Sequence, residues 1–409
     1  MNYSCLQIVC GLAFLFCLAS PVTCAVTPLW VQPAAPGDEL SGVVISDNGS
    51  AIVAGGDQLI ALSREGGKCW TAWSGSLLAT SRDGRYILMA KGPVVRLISG
   101  SGTLLWEKTL DTIITDLSIA PDASAIAVSG GGQIHTFTLS GGSIASDRSL
   151  AINHIKIMPS GEQILITTSK NVQVSDLTLL PVWSDNSSTQ DFVEITPGGS
   201  SFVTATNSRV RMYTANGNLS WEQRLTGGKA LALAYASDGS TIVVGMDDTT
   251  VQVLAHNGTL LWTANATNWI TSVAVSDGGN TIVAGSRDKK VHVFNHAGTR
   301  LGIFTVKGPI DPHSVAVTRD GSLIVIVDQT AVYGLSRSSF MPQETVMATI
   351  PTPSREMTAF PTMKATRKIT PRIMTLPTPP PTETPQASLP SPVPVIAVGL
   401  LLLCRFRKT

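Results

Sequence analysis

A repeated unit of about 40 residues, the turn glycines inside it and a tryptophan near its end predict an all-β fold, an eight-bladed β-propeller of four-stranded antiparallel blades. The unit is clearest at residues 231–265 and 272–304, where β-branched or alternating runs are separated by Asp-Gly, Asn-Gly and other polar turns. These dipeptides supply the positive φ of tight hairpins, so each unit predicts four strands.

The first-turn glycine recurs at separations of 35 to 42 residues, which is the spacing expected of propeller blades. It stands at Gly49, Gly84, Gly161, Gly199, Gly239, Gly279 and Gly321, with Ala123 in the third copy.

Tryptophan provides a second, independent period. Six of the eight tryptophans fall in predicted fourth strands, and Ile144 stands where one is missing. A large flat side chain in that position is expected to pack between neighbouring blades. The predicted blade-packing residues are Trp30, Trp70, Trp106, Trp183, Trp221 and Trp262.

The two ends of the repeat region complete each other. Trp30 precedes the first turn glycine, so it predicts a fourth strand without the preceding three, whereas the last copy (314–336) has three strands and no fourth. An N-terminal strand that completes the last blade closes the ring and leaves no open ring end for aggregation. Residues 26–337 then provide 39 residues for each of eight blades; a seven-bladed ring is the alternative.

The first 25 residues match a secretory signal peptide. Residues 6–19 are apolar, and small residues around Ala25 form a cleavage site. Because no Lys or Arg precedes the apolar run, an uncleaved N-terminal anchor and a lipoprotein modified at Cys24 stay open as alternatives.

The C-terminal region has three successive parts. Residues 341–394 contain 13 of the 24 prolines and 11 threonines, a composition typical of an extended stalk. The apolar run 393–404 is shorter than the roughly 20 residues of a comfortable membrane span, and the basic tail 405–409 follows it. A basic tail favours the cytoplasmic side of a membrane.

Stalk, apolar run and basic tail in this order resemble the C-terminal sorting signals of exported surface proteins in bacteria and archaea, although there is no LPxTG motif. A plain membrane anchor is the alternative. Both interpretations predict a protein exported to the cell surface and held to the membrane or envelope by its C-terminus. The predicted domains are a signal peptide (1–25), a propeller (26–337), a Pro/Thr-rich disordered stalk (338–391) and a hydrophobic anchor or sorting signal with a basic tail (392–409).

Composition excludes some function classes. Charged residues make up 14% of the chain, and 29 basic residues face 28 acidic ones, so there is no electrostatic footprint for nucleic acid. Only Cys69 lies in the exported body, so the fold must be held by its core without an intrachain disulfide. A monomeric ring is expected.

The core SVAVSDGGNTIVAGSRD (272–288) resembles the WD40-like and YVTN-type propellers of archaeal cell-surface proteins. The element NGTLLW (257–262) is similar to the tryptophan motif of quinoprotein-dehydrogenase-like propellers, which are eight-bladed. Two third strands end Val-Phe-Asn (293–295) and Val-Leu-Ala (253–255), without the Trp-Asp dipeptide of true WD40 repeats. A cytosolic WD40 scaffold is therefore disfavoured.

The second resemblance implies an alternative function, a dehydrogenase that binds pyrroloquinoline quinone beside Ca²⁺, often with adjacent cysteines. Cys69 offers no adjacent pair, and the acidic residues mostly repeat in turns, where they have structural roles. No nucleophile motif surrounds any histidine. The sequence therefore predicts no enzyme, no cofactor and no metal. The function that the sequence favours is that of a binding or envelope-structural protein. A further alternative is a scaffold for the assembly of envelope proteins.

The expected binding face consists of loops between second and third strands and between blades, for a protein or glycan ligand of the envelope. Its candidate residues are Trp269, Asp247, Asp248, Arg287, Asp288, Lys289, Asp311 and His313. Five sequons in turns or loops predict N-glycosylation where the host has the machinery, at Asn48, Asn186, Asn218, Asn257 and Asn265.

Overall fold

The structure is a computed structural model that describes residues 26–148, 151–186, 191–196, 198–206 and 208–340. The predicted signal peptide, the stalk beyond residue 340 and the C-terminal anchor lie outside the described residues. None of the described residues form a helix whose length and apolar character would let it cross a membrane.

Within the described residues the chain forms eight four-stranded antiparallel sheets, which confirms the eight-bladed prediction over the seven-bladed one. Strand β1 (Trp30–Pro33) comes first and belongs to the last blade. Blade 1 contains β2 (Leu40–Ile45), β3 (Ile52–Gly56), β4 (Leu59–Leu62) and β5 (Lys68–Ala72). Blade 2 contains β6 (Leu77–Thr80), β7 (Tyr86–Lys91), β8 (Val94–Ser99) and β9 (Leu104–Thr109).

The next three blades follow the same order of strands. Blade 3 contains β10 (Asp116–Ile119), β11 (Ala125–Gly130), β12 (Gln133–Thr138) and β13 (Ser143–Asp147). Blade 4 contains β14 (Ile152–Ile157), β15 (Gln163–Thr168), β16 (Val172–Asp176) and β17 (Pro181–Asp185). Blade 5 contains β18 (Phe192–Ile195), β19 (Ser201–Ala205), β20 (Arg209–Thr214) and β21 (Leu219–Arg224).

The last three blades complete the ring. Blade 6 contains β22 (Ala230–Tyr235), β23 (Thr241–Met246), β24 (Thr250–Ala255) and β25 (Leu260–Asn265). Blade 7 contains β26 (Ile270–Val275), β27 (Ile282–Ser286), β28 (Lys290–Phe294) and β29 (Arg300–Thr305), with a 3-10 turn at Asp277–Gly279. Blade 8 contains β30 (Val315–Val317), β31 (Leu323–Asp328) and β32 (Ala331–Ser336), and a 3-10 helix, Arg337–Phe340, follows.

Blade 8 is closed by the N-terminal strand, as the sequence predicts. Strand β1 pairs antiparallel with β32, with Trp30 opposite Gly334, so that the strand order is β1-β32-β31-β30. A side chain at Gly334 would collide with the Trp30 indole, whose atoms lie 2.1 Å from the position of a Cβ. Ring closure therefore depends on a residue without a side chain at this point.

The core is divided among the eight junctions between neighbouring blades. Each junction holds one cluster of buried apolar side chains, contributed by both blades. Burial in this arrangement comes from sheet packing on sheet, so every blade needs two neighbours to cover its faces.

The tryptophans lie at these junctions. The Trp262 indole Nε1–H donates to the His296 carbonyl oxygen of the next blade at 2.9 Å, and its ring covers Gly298, where an added Cβ would lie 2.8 Å away. Gly298 has φ +80°, a conformation that suits glycine at the third-to-fourth strand hairpin. The same indole-to-carbonyl bond joins Trp30 to Arg64, Trp70 to Gly100, Trp106 to Leu139 and Trp221 to His256, and Trp183 covers Gly217.

Blade 3 lacks this tryptophan, and the strand register corrects its expected position. Ala145, not Ile144, takes the place opposite the third strand that Trp106 takes in blade 2. Ile144 is the bulged residue, as Leu105 is in blade 2, because each fourth strand slips by one residue just before this position. Spacing alone could not reveal a one-residue bulge.

Blade 7 lacks the tryptophan as well. Gly302 stands in its position, opposite Val293, and an added Cβ there would lie 2.8 Å from Cδ1 of Phe340. Phe340 is 4% exposed and belongs to the cluster between blades 7 and 8. Because blade 8 takes its fourth strand from the N-terminus, it has no third-to-fourth strand hairpin, and the 3-10 helix occupies the chain positions after β32. This helix begins at the predicted end of the propeller, residue 337.

The hairpins between first and second strands, and between third and fourth strands, lie on one face of the ring, the hairpin face. On this face a series of backbone hydrogen bonds of 2.9–3.1 Å connects the turns of neighbouring blades. Each N–H group donates to the carbonyl oxygen of the next residue in the series, in the order Asp277, Arg319, Asp47, Arg82 and Pro121. Pro121 has no N–H and ends the series. Side chains alternate in charge along it, since Arg319 lies 2.7 Å from Asp277 and 3.6 Å from Asp47, which lies 3.4 Å from Arg82. This series crosses the closure blade.

Candidate binding face

The other face, the loop face, carries the loops between second and third strands and the links between blades. All eight predicted face residues belong to such loops of blades 6, 7 and 8. Asp247 and Asp248 follow β23, and the residues 287–289 follow β27. Trp269 lies in the link before blade 7, and Asp311 and His313 lie in the link before blade 8.

Hydrogen bonds join these loops into one continuous series, which we call the loop arc (225–229, 247–249, 266–269, 287–289, 306–308 and 328–330). Backbone-to-backbone bonds connect its first five segments, and the Asp328 side chain connects the fifth to the sixth. The bonds alternate between a link and a strand-to-strand loop. They are Asp247 N–H to Lys229 O (2.9 Å), Ala266 N–H to Thr249 O (2.8 Å), Arg287 N–H to Trp269 O (3.0 Å) and Val306 N–H to Lys289 O (2.9 Å). The arc is therefore held in place across three blades.

The aspartates of the arc are turned towards its backbone. Asp248 Oδ2 accepts from Gly228 N at 2.9 Å, and Asp247 Oδ1 accepts from Lys229 N at 2.6 Å. Asp288 Oδ1 accepts from Lys290 N at 3.0 Å, and its Oδ2 accepts from the Thr267 hydroxyl. Burial raises the pKa of Asp288, but the hydrogen bonds from Thr267 and Ser286 outweigh it and hold that pKa below its usual value. These carboxylates fasten links to blades.

Asp328 repeats this arrangement in blade 8, at the position of Asp288. Its Oδ2 accepts from the backbone N–H of Lys307 and Gly308, both at 2.9 Å, and it is 1% exposed. Burial raises its pKa, and hydrogen bonds from Gly308 and Thr330 more than compensate, so the pKa stays low. Sequence reasoning did not select Asp328, although the 40-residue spacing from Asp288 and Asp248 was a usable signal.

Two exposed tryptophans mark the loop face. Trp269 is 44% exposed, and the Arg287 guanidinium lies over its ring, 5.4 Å from the centroid. Trp73, in the link before blade 2, is 39% exposed with Arg96 over its ring at 5.2 Å. Trp73 was not predicted, although it is the second tryptophan outside the 40-residue period.

Backbone strain also concentrates on this face. Among described residues other than glycine, six have positive φ, and four of them lie in loop-face segments. These are Trp73 (+53°), Thr249 (+77°), Lys289 (+67°) and His313 (+61°). Left-handed backbone is costly for such residues and tends to occur at functional sites.

The first strands of all blades line a central channel of about 570 Å³. One sector of its wall is charged. Lys156 Nζ donates to Glu194 at 2.8 Å, and His154 Nδ1 lies 3.3 Å from Asp116. Burial lowers the pKa of Lys156, but the Glu194 carboxylate outweighs it and raises that pKa above its usual value. These pairs connect the first strands of blades 3, 4 and 5.

His313 projects at the channel mouth, exposed to the channel but surrounded by its wall. Burial, and then the charge of Lys156, lower its pKa. The loop arc and the channel mouth therefore lie on the same face. Trp269 and Arg287 are brought together by the fold, whereas no described contact joins His313 to that pair.

The charged channel residues were missed by sequence reasoning. Asp116 and His154 stand seven residues before the turn positions 123 and 161, and Lys156 and Glu194 stand five before 161 and 199. At these positions the blades outside this sector carry Gly, Ala, Ser, Val or Leu. Alignment of the repeats would have shown the difference.

The channel does not fit the quinone and Ca²⁺ centre that the quinoprotein resemblance implies. Both channel carboxylates of this sector already face a cation or a histidine, and the described Cys69 is exposed on a fourth strand, away from the channel. No three His, Cys, Asp or Glu side chains among the described residues are grouped to hold a metal ion.

The five sequon asparagines are all exposed. Asn48, Asn218 and Asn257 lie in turns of the hairpin face. Asn265 ends β25 and Asn186 follows β17, so these two lie towards the loop face.

Comparison with known proteins agrees with the geometry. A family model described as outer membrane protein assembly factor BamB matches residues 176–333. Among solved structures, the C-terminal WD40 domain of Sif2 is similar with a TM-score of 0.66 and 13% identity, covering 76% of this chain and 99% of that one. The chain is a β-propeller repeat protein.

The propeller is also similar to the β-propeller domain of Cps50 (Swd1) from Myceliophteria thermophila, with a TM-score of 0.54 and 13% identity over 65% of this chain and 97% of that one. At such identities the two structures show the fold alone. No curated protein sequence matched the chain significantly. The matched region of the propeller, 176–333, includes the whole loop arc.

Proposed function

We propose that this propeller is exported, held at the cell surface by its C-terminal segment, and serves as a non-catalytic binding protein that engages an envelope partner through the loop arc. One observation carries the proposal: Trp269 and Arg287 form an exposed pair on loops fixed by backbone hydrogen bonds. Tryptophan and arginine are the residues most enriched at binding hot spots, and fixed loops reduce the entropy lost on binding.

Export and anchoring are supported by the sequence at both ends, namely the apolar run 6–19 and the order of stalk, apolar run and basic tail after residue 340. Labelling intact cells with a membrane-impermeant reagent tests this part. The full-length chain should be labelled without lysis, and recovery only from the cytosol would refute export.

Binding is tested by crosslinking in intact cells that carry either the native chain or Trp269→Ala. Crosslinked partners of the native chain should be lost with Trp269→Ala and kept with Trp73→Ala, which removes the other exposed loop-face tryptophan. Equal capture by both variants and the native chain would show that the arc is not the binding face.

A scaffold for the assembly of envelope proteins is the second candidate, favoured by the assembly-factor family model over 176–333. The two candidates differ in the consequence of deletion. A scaffold predicts that several envelope proteins lose their mature form, whereas a simple binder predicts loss of one interaction.

For the non-catalytic part, added pyrroloquinoline quinone and Ca²⁺ should give no dye-linked alcohol oxidation.

A further inference from the structure

Four cationic side chains project from the loop arc. Lys229, Arg287, Lys289 and Lys307 are all exposed, and none forms an ion pair with another described residue. They come from three of the six arc segments, namely the link before blade 6, the loop of blade 7 and the link before blade 8.

The acidic residues of the same arc are equal in number to these cations but less exposed, since three are half-buried and one is buried. Asp247, Asp248, Asp288 and Asp328 each accept at least one hydrogen bond from the backbone of a link or of the following strand. Their negative charge is partly compensated by those N–H dipoles, and the Asp328 side chain is buried. A partner that touches the arc therefore meets cations first.

The cations are spread along the arc and do not converge on a point. Spacing over three blades favours an extended anionic chain over a single small ion, because only a chain can reach all four at once. Trp269, with Arg287 over its ring, lies between the outer cations and adds a flat apolar contact of the kind that aromatic side chains fill.

We propose that the partner of the loop arc is an extended acidic protein segment that carries an aromatic side chain for Trp269. The inference rests on the proposed function, since it names the partner chemistry of the same face. It differs from the sequence expectation in that the aspartates of the predicted face hold loops, while Arg287 and Lys289, joined by Lys229 and Lys307, contact the partner.

Two polymers of known composition test the proposal on the full-length chain. Poly-glutamate measures the ionic part, and a 4:1 glutamate–tyrosine copolymer measures the ionic and aromatic parts together. The copolymer should bind more tightly, and Trp269→Ala should abolish the difference between the two. The double variant Arg287→Gln/Lys289→Gln should weaken the binding of both polymers about tenfold. The number of ions released on binding, which sets the salt dependence, should fall from about four to about two.

Lys68→Gln/Arg85→Gln is the matched control, because it removes the same charge from exposed residues of the hairpin face. It should leave binding unchanged. Equal losses from both double variants would mean that only net charge matters and would overturn the proposal.

Polygalacturonate forms the third arm. Tighter binding to this anionic glycan than to the copolymer would overturn the protein assignment and identify the arc as a glycan surface. If none of the polymers binds, yet crosslinking in cells still depends on Trp269, the acidic-segment proposal fails while the proposed function stands. Failure of both measurements removes both.

Discussion

Phe340 provides the sharpest test of how the ring is closed. It comes from the 3-10 helix after the last strand and fills the space over Gly302 that a tryptophan fills in other blades. Phe340→Ala removes the ring from the cluster of Phe304, Tyr333 and Leu335 between blades 7 and 8. No other change in the chain is needed to expose this junction.

The expected loss follows from the burial of the side chain. Phe340 is 4% exposed, and Phe-to-Ala substitutions in cores cost about 3–5 kcal/mol of unfolding free energy, including the cavity left behind. Because Gly302 leaves no side chain to collapse into the space, little relaxation is available on that side. We therefore expect a loss of about 3 kcal/mol or more.

Urea denaturation of the full-length chain, followed by tryptophan fluorescence, measures this loss. Ile303→Ala is the matched control, since Ile303 neighbours Gly302 on β29 but is 39% exposed. It should cost less than about 1 kcal/mol because it exposes little new surface. If Phe340→Ala costs no more than Ile303→Ala, the 3-10 helix does not support the closure, and the reasoning is refuted.

Three further predictions concern the junctions, a buried histidine and the hairpin face. Gly298→Ala should lower the free energy of unfolding by more than about 2 kcal/mol, because it adds left-handed strain and a clash with Trp262. Its control Gly92→Ala, at φ +60° in open space, should cost about 1 kcal/mol. Similar losses for the two variants in urea titrations would contradict the packing argument. Burial, and then Arg300, lower the pKa of His292 to about 4, so the folded state binds fewer protons than the unfolded state between pH 4 and 6.5. On acidification this one group should lower the free energy of unfolding by about 3 kcal/mol. His292→Gln should remove that share of the acid loss and leave the share of His135 and His313, whose pKa values burial also lowers. A variant that keeps the full pH dependence would assign it to other groups. Asp47→Asn should lower the free energy of unfolding by up to about 1 kcal/mol at low salt, because it removes the exposed ion pairs with Arg82 and Arg319. In 1 M NaCl these pairs are already screened, so the variant should cost almost nothing. A loss independent of salt would contradict an ionic role.

The sequence by itself determined the architecture. Turn dipeptides, strand alternation and the spacing of tryptophan are local signals, and they repeat often enough to give the number of blades and the closing strand. Trp30 is the best example, because a single fourth-strand pattern before the first repeat can complete only the last blade, which lacks its own fourth strand. These properties follow from backbone geometry and from the need to pair every strand.

The tertiary structure decided which side chains of the loop arc are exposed and which hold the loops in place. Asp288 and Arg287 are adjacent in sequence, yet Asp288 is turned to the Thr267 hydroxyl while Arg287 lies over Trp269. This choice depends on a link about 20 residues earlier, which only the packing of one blade on the next brings into reach. The same holds for Phe340 over Gly302 and for Ala145 in place of Ile144. The position of a bulge, and the side chain that fills a gap between two blades, depend on the space between those blades and give no signal in the local sequence.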